Sequence, residues 1–465
     1  MADFWIAGTP ASSDDVVTIH SPLDGRVVGQ TSNATTDQVE RAVASAAKVA
    51  PEAAVLPASA RAAVLDHVSA TIARRADEIA GLITAENGKP AMWAKAEVGR
   101  AVSTFRWAAE EARRFSGELM RLDTDPAATG RMAVVRRFPR GPVLGITPFN
   151  FPLNLVAHKV APAIAVGAPI VVKPAPATPL TALLLGEILA ETDLPAGMFS
   201  FLPVPNDRAS ALVSDPRLPV VSFTGSGPVG QQIKASVPEK HVTLELGGNA
   251  AVLVCSDYAD LDWAAQRVAL FSNYQGGQSC IAVQRVFVHA SLAGAFTERL
   301  VDAVSKLDFD AQVGPLISEQ AAQRVQQWVE ESGGRVLAGG SRQGTRYEPT
   351  VLADVPKDAK VVVEEVFGPV MVLSTVDSDD AGLAAVNDSK YGLQAGVFTT
   401  DVRTAFKAHT TLNVGGVIIG DVPSYRADQM PYGGAKGSGV GREGLRNAMD
   451  DYTEARVMVL TGLTL

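Results

Sequence analysis

Five short apolar runs at 143–147, 169–172, 198–203, 219–223 and 242–246 alternate with helix-length segments at 151–166, 179–191, 207–213 and 228–236. A tight turn can join antiparallel strands, but a helix between two strands carries the chain back across a face of the sheet and leaves them parallel. The alternation therefore predicts a largely parallel sheet, covered on both faces, with right-handed crossovers. Ligands of such sheets bind beyond the C-terminal ends of the strands. Pro148-Phe149-Asn150, Lys173 and Phe223-Thr224-Gly225-Ser226 fall there.

The chain has 465 residues, more than one core organises, so a second unit is expected. It runs from 247 to about 445, with a helix near 260–274, strands near 283–288 and 361–373, and another helix near 320–331. Before the first sheet, alanine-rich helices are expected at 38–50, 57–84 and 91–115. Asp37 offers an N-cap for the first of them, with Glu40 at its third helical position. Val98, Val102, Phe105 and Ala109 make one face of the third apolar. The stretch 131–140 mixes β-branched residues with four arginines and reads as a solvent-facing strand or hairpin arm.

Apolar residues at 47% and charged residues at 20% describe a soluble globular protein. A net charge of -9 argues against general nucleic-acid binding. Two cysteines build no disulfide framework, which suggests a reducing compartment. Met1 to Ile6 has neither the basic start nor the apolar run of a signal peptide. The apolar stretch Val160–Val172 is too short for a bilayer and carries Pro162 and Pro169. A cytoplasmic protein with no membrane or nucleic-acid partner and no bound metal is expected.

Two positions stand out chemically. Cys280, in Tyr274-Gln-Gly-Gly-Gln-Ser-Cys-Ile281, sits among turn-forming and small polar residues. A thiolate there would be a nucleophile, while a protonated thiol would be one more small hydrophobe; local context leaves both open. Cys255, in the strand-like Ala251-Val-Leu-Val-Cys255, reads as structural. Glu245 interrupts an apolar strand in which Val242, Leu244 and Leu246 share the other face, and Gly247-Gly248 follow it. A desolvated carboxylate at a strand end can serve as a general base.

Read together, several motifs resemble the NAD(P)-dependent aldehyde dehydrogenase superfamily over essentially the full length. They are Pro148-Phe-Asn-Phe-Pro152, Lys173-Pro174, Phe223-Thr-Gly-Ser226 with Gly230, Leu244-Glu-Leu-Gly-Gly248, Gly277-Gln-Ser-Cys280, Glu365-Val-Phe-Gly-Pro369 and Pro431-Tyr-Gly-Gly434. The resemblance implies an α/β fold with a Rossmann-like dinucleotide-binding domain (1–122 and 142–246), an αβ catalytic domain (247–445) and a β-hairpin oligomerisation arm (123–141 and 446–465). It implies that Cys280 adds to an aldehyde to form a thiohemiacetal and then a thioester, that Glu245 helps water hydrolyse the thioester, and that Asn150 with the Cys280 N–H stabilises the oxyanion. An asparagine is a neutral donor that does not titrate near pH 7. A helix cap or turn is the plainer reading of Asn150.

NAD or NADP is the implied cofactor, and Phe223 to Gly230 forms a strand-to-helix turn suited to a pyrophosphate. The cofactor contacts implied are Ile146, Thr147, Pro148, Phe149, Lys173, Ala175, Pro176, Phe223, Thr224, Gly225, Ser226, Val229, Leu246, Gly247, Glu365 and Phe367. Pro176 replaces a glutamate that many NAD-preferring relatives carry, which removes repulsion of a 2′-phosphate. The aldehyde tunnel is implied at Phe151, Leu155, His158, Ser279, Ile281 and Tyr425, with Arg106 and Arg426 as available cations; a core or interface histidine is the plainer reading of His158. The closest flavour is the branch that oxidises lactaldehyde or glyceraldehyde-phosphate-type short aldehydes, as a homodimer or homotetramer. A coenzyme A-acylating enzyme, a non-catalytic dinucleotide-binding scaffold and a cysteine hydrolase are the competing readings. The first generally lacks the Glu245 equivalent, and the third would need a histidine partner that no triad-like context supplies.

Overall fold

The structure is a computed structural model that describes residues 1–462. Residues 463–465, the end of the expected arm, lie outside the described residues.

In the first sheet Val143–Ile146 is central, with Ile170–Lys173 on one side and Val220–Thr224, then His241–Glu245, on the other, all parallel. Phe199–Phe201 extends it in parallel, and the N-terminal hairpin Phe4–Ile6 with Thr9–Ala11 closes that end antiparallel. The central strands are buried on both faces, which is why they read as continuous apolar runs. Register lines up their ends: Ile146 lies beside Lys173 and Phe223, and Thr224 lies beside Glu245. The cofactor-type segments and the anomalous carboxylate thus share one edge.

The second sheet runs in the order Arg335–Ala338, Thr350–Ala353, Val370–Val376, Arg285–His289, Ala251–Val254, Gln394–Phe398, Gly416–Ile419. All its pairings are parallel except that of Arg335–Ala338. Cys255 ends Ala251–Val254 fully buried, as a structural cysteine should.

Several expectations shift. The first helix is capped by Thr35, whose hydroxyl accepts from Gln38 N while Gln38 Oε1 accepts from Thr35 N; Asp37 falls inside the first turn. The segment 57–84 breaks at Arg75, a non-helical residue whose guanidinium is held by Glu78 and Glu187, into Ala58–Arg74 and Ala76–Asn87. Within 361–373 only Val370 onward is strand, and Lys360–Val363 is a helical turn. The tail begins as the helix Leu445–Asp451 before the strand Thr453–Thr461, which pairs with Arg131–Pro139; Glu118–Arg121 completes that small sheet. Gly439–Val440 returns to the first sheet as the antiparallel neighbour of His241–Glu245, so the second unit does not run uninterrupted to 445. Among the described residues no helix is long and apolar enough to cross a membrane.

Candidate active site

The candidate nucleophile, Cys280, is delivered by an unusual turn. After the helix Leu261–Asn273, residues Gln275, Gly276 and Gly277 take φ of 43°, 68° and 67°. Glycine adopts that left-handed region freely, and a Cβ on Gly277 would stand 2.2 Å from the Gly368 carbonyl oxygen. Gln278 pins the turn: its Nε2 donates to the carbonyls of Gln275 and Pro315, and its Oε1 accepts from Ile317 N. Cys280 emerges half-buried at the wall of a cavity of about 150 Å3.

Asn150 faces the same turn. Its Nδ2 donates to Gln278 O at 3.0 Å, which fixes one amide hydrogen and leaves the other free. Its carbonyl accepts from Lys89 Nζ at 2.7 Å, and Lys89 forms a fully buried ion pair with Glu97 at 2.5 Å. Glu97 Oε1 also accepts from Leu153 N and Asn154 N, at 2.8 and 3.0 Å. Glu97, not Asn150, therefore satisfies the N-terminus of the helix Asn154–Val166, and Asn150 is spare for other work.

Glu245 ends its strand 3% exposed, and neither carboxylate oxygen has a hydrogen-bond partner among the described residues. Burial, and then the negative charge of Glu443, push its pKa well above the carboxylate range; Arg426 and Lys159 oppose them less strongly. Glu443 goes the other way. Burial would raise its pKa, but Lys159 at 3.3 Å and Arg426 at 3.1 Å outweigh that and keep it ionised. Two carboxyls in such opposed environments are suited to different tasks, one to holding charge and the other to exchanging a proton.

Phe151, Leu155, Ser279 and Ile281 line the cavity. So do Trp93, Glu97 and Arg100 from the helix Ala91–Arg114, and Arg426 and Tyr432 from the C-terminal segment. Three sequence candidates lie elsewhere. Tyr425 is 52% exposed, while its neighbours Ser424 and Arg426 turn inward. Arg106 is exposed and stacks on Trp107. His158 is buried behind the wall, 3.3 Å from Asp428, with burial pushing its pKa down to about 4. Asp428 in turn holds Arg100 at 3.0 Å. Arg100, Glu443, Lys159 and Tyr432 were not singled out from the sequence, although helical spacing of Trp93, Glu97 and Arg100 was the available signal for the first.

On the cofactor side, Ile146, Thr147, Phe223, Leu246 and Gly247 are buried at the strand ends, and Pro148 and Phe149 are half-buried beside them. Lys173 Nζ donates to Asn206 Oδ1 at 2.8 Å, and burial lowers its pKa to about 8. Ala175 is buried and Pro176 exposed. Thr224 and Gly225 lead to Ser226, which stands exposed before the helix Gly227–Ser236, with Val229 exposed in its first turn. Glu365 Oε1 accepts from Gly248 N at 3.0 Å, and burial raises its pKa to about 7. A Cβ at Gly247 would lie 2.1 Å from Glu365 Oε2, so any other residue there would displace the Glu365 carboxylate. Phe367, at φ 48°, meets Phe149 edge to face at 5.8 Å. A helix N-terminus, a lysine, a carboxylate and two aromatic rings along one strand edge fit a dinucleotide.

The aldehyde dehydrogenase family model matches residues 9–458. The chain is 41% identical to 3-sulfolactaldehyde dehydrogenase of Priestia aryabhattai, covering 92% of this chain and 91% of that one. It is 35% identical to succinate-semialdehyde dehydrogenase [NADP(+)] of Escherichia coli (strain K12), covering 97% and 95%. Among solved structures it is similar to aldehyde dehydrogenase 21 of Physcomitrella patens in complex with the reaction product succinate, at 44% identity and a TM-score of 0.97, covering 99% and 98%.

Proposed function

The chain belongs to the aldehyde dehydrogenase family, and on that premise we propose that it oxidises a short anionic aldehyde to its carboxylic acid through an acyl group carried on Cys280. Oxidation of an aldehyde with NAD(P)+ at an active-site cysteine is its reaction class. The substrate reading is carried by the two arginines of the cavity wall. Arg426 is almost fully buried, with an Nε that has no partner among the described residues, and Arg100 lines the same cavity 6.0 Å from the Phe151 ring centroid. A buried guanidinium with a spare donor suits a carboxylate, sulfonate or phosphate on the far end of a substrate. Two relatives whose names specify a sulfonate- and a carboxylate-bearing aldehyde support the same reading. A cavity of about 150 Å3 favours a short chain, hydroxylated or not.

In this mechanism the Cys280 sulfur adds to the carbonyl carbon, the C–S bond forms, and the π pair moves onto oxygen. Asn150 Nδ2 and the Cys280 N–H donate to that oxyanion. The bound nicotinamide supplies the hydride acceptor. The acyl group is left as a thioester, and Glu245 takes a proton from the water that attacks it. Lys173, Ser226 with its helix N-terminus, and Glu365 would hold the dinucleotide. Pro176 carries no charge against a 2′-phosphate, which permits NADP as well as NAD.

The test is a panel of short aldehydes of equal length, ending in carboxylate, sulfonate, phosphate or methyl, followed at the reduced-nicotinamide absorbance with each dinucleotide. Anionic members should exceed the neutral one in kcat/KM by about tenfold or more; equal or better turnover of the neutral aldehyde would sink the substrate class. Acyl-coenzyme A formation without free acid would replace water as the acceptor and overturn the role of Glu245.

A further inference from the structure

Tyr432 is 4% exposed, and its phenol oxygen lies 3.0 Å from Cys280 Sγ. That oxygen has no other partner among the described residues. The Arg426 guanidinium lies 3.8 Å above the ring centroid and is held there by Glu443. The ring is therefore clamped, and a cation on its face draws electron density away from the oxygen and makes the O–H a stronger donor.

We propose that Tyr432 is a further catalytic residue, whose phenol O–H bonds the Cys280 sulfur and stabilises the thiolate that attacks the aldehyde. A thiolate has no proton to give, so in the reactive state the phenol is the donor. Burial, first of all, keeps the phenol protonated. The groups acting on Cys280 divide by sign. Burial pushes the thiol up to about 12, Glu365 and Glu245 add to that, and Tyr432 and Arg426 oppose it. Tyr274 lies behind, with its hydroxyl donated to Ser279 Oγ at 2.6 Å. Of these groups only Tyr432 bonds the sulfur.

The thiol proton leaves through the cavity to solvent. The sulfur pair then forms the C–S bond and the carbonyl π pair moves to oxygen. Charge leaves the sulfur at this point, so the gain from Tyr432 lies in the thiolate population. Each pH unit by which the thiol midpoint falls gives about tenfold more thiolate and about threefold less intrinsic reactivity, a net gain of about threefold. A hydrogen bond to an ionised group moves a midpoint by about one to two pH units.

The inference rests on Cys280 as the nucleophile, but its test needs no aldehyde. The rate of Cys280 alkylation by iodoacetamide is measured on the free protein between pH 7 and 9 by intact mass, with Cys280→Ser as the control for Cys255. Tyr432→Phe should slow alkylation about three- to tenfold by the same factor at every pH below the midpoint, with dinucleotide affinity kept. Placing 3,5-difluorotyrosine at 432, a stronger donor of nearly the same shape, should speed alkylation. Unchanged alkylation in both proteins overturns the inference, even if turnover falls. A shifted alkylation rate alongside a failed anionic-aldehyde panel would reject the substrate class and leave Tyr432 in place.

Discussion

Glu245 is expensive where it stands. The native carboxyl has its pKa raised, chiefly by burial, whereas in the unfolded chain it titrates near the ordinary carboxyl value of 4.5. Below that value both states are protonated and pH is without effect. As pH rises above it, the unfolded state ionises first, so stability falls until the native carboxyl ionises as well. Glu245→Gln removes this penalty. The variant should melt above the parent at pH 8 and close to it at pH 4, as scanning calorimetry would show; a variant less stable at pH 8 would refute the raised pKa. The same variant should accumulate an acyl adduct on Cys280, visible by intact mass after a single turnover. Arg100→Leu is expected to raise KM for an anionic aldehyde about tenfold or more while leaving that for a neutral one nearly unchanged. Equal changes for both would remove Arg100 from substrate recognition. Cys280 and Glu245 stood out because each is odd in its own neighbourhood, whereas Asn150 was reached only through the resemblance. Arg100 and Glu443 are ordinary charged residues in sequence, and only the fold makes them neighbours of the cavity. Arg106 was named as an available cation without a place in the fold, because an arginine on a helix does not announce which face it occupies.

At the scale of elements, the long helix Ala91–Arg114 does more than fill space. Its Glu97 binds Lys89 and terminates the helix Asn154–Val166, and so fixes the loop that carries Asn150. Removing that carboxylate strands a buried ammonium and two backbone N–H groups. Glu97→Ala should therefore cost roughly 3–5 kcal/mol in denaturant unfolding; a loss within about 0.5 kcal/mol, the scale of an ordinary surface change, would mean that Lys89 is solvated or re-paired. The strands of the first sheet were readable to within a residue or two, because burial on both faces forces unbroken apolar runs. Element ends were less so. Thr35 displaced Asp37 as a cap because its reciprocal bond with Gln38 satisfies two backbone-linked groups at once. The break at Arg75 leaves no mark in the alanine-rich pattern, since its cause is a pair of glutamates, one of them far along the chain.

For the whole molecule, the parallel arrangement of the first sheet followed from its alternating elements, but the order of the second sheet and the return of Gly439–Val440 to the first did not, since a two-residue strand in a glycine-rich segment has no periodicity to read. The arm raises a different question. Thr453–Thr461 is a nine-residue edge strand, and its consecutive residues Val457, Met458 and Val459 are 63%, 52% and 49% exposed. Because neighbours on a strand point to opposite faces, this chain covers neither face there. A long, apolar, open edge is a template for another chain, and the proposed occupant is a second copy, giving a homodimer or homotetramer. Lysines at Val457 and Val459 would put charge on one face of that edge without touching the pairing to Arg131–Pro139 on the other side of the strand. The double variant should run by light scattering as a single chain of 48.7 kDa where the parent runs at a multiple of it. Every residue assigned to the site belongs to one chain, so the separated protomer should still bind dinucleotide. A parent that itself runs as a single chain would reject the assembly, and a double variant that stays assembled would move the interface away from this strand.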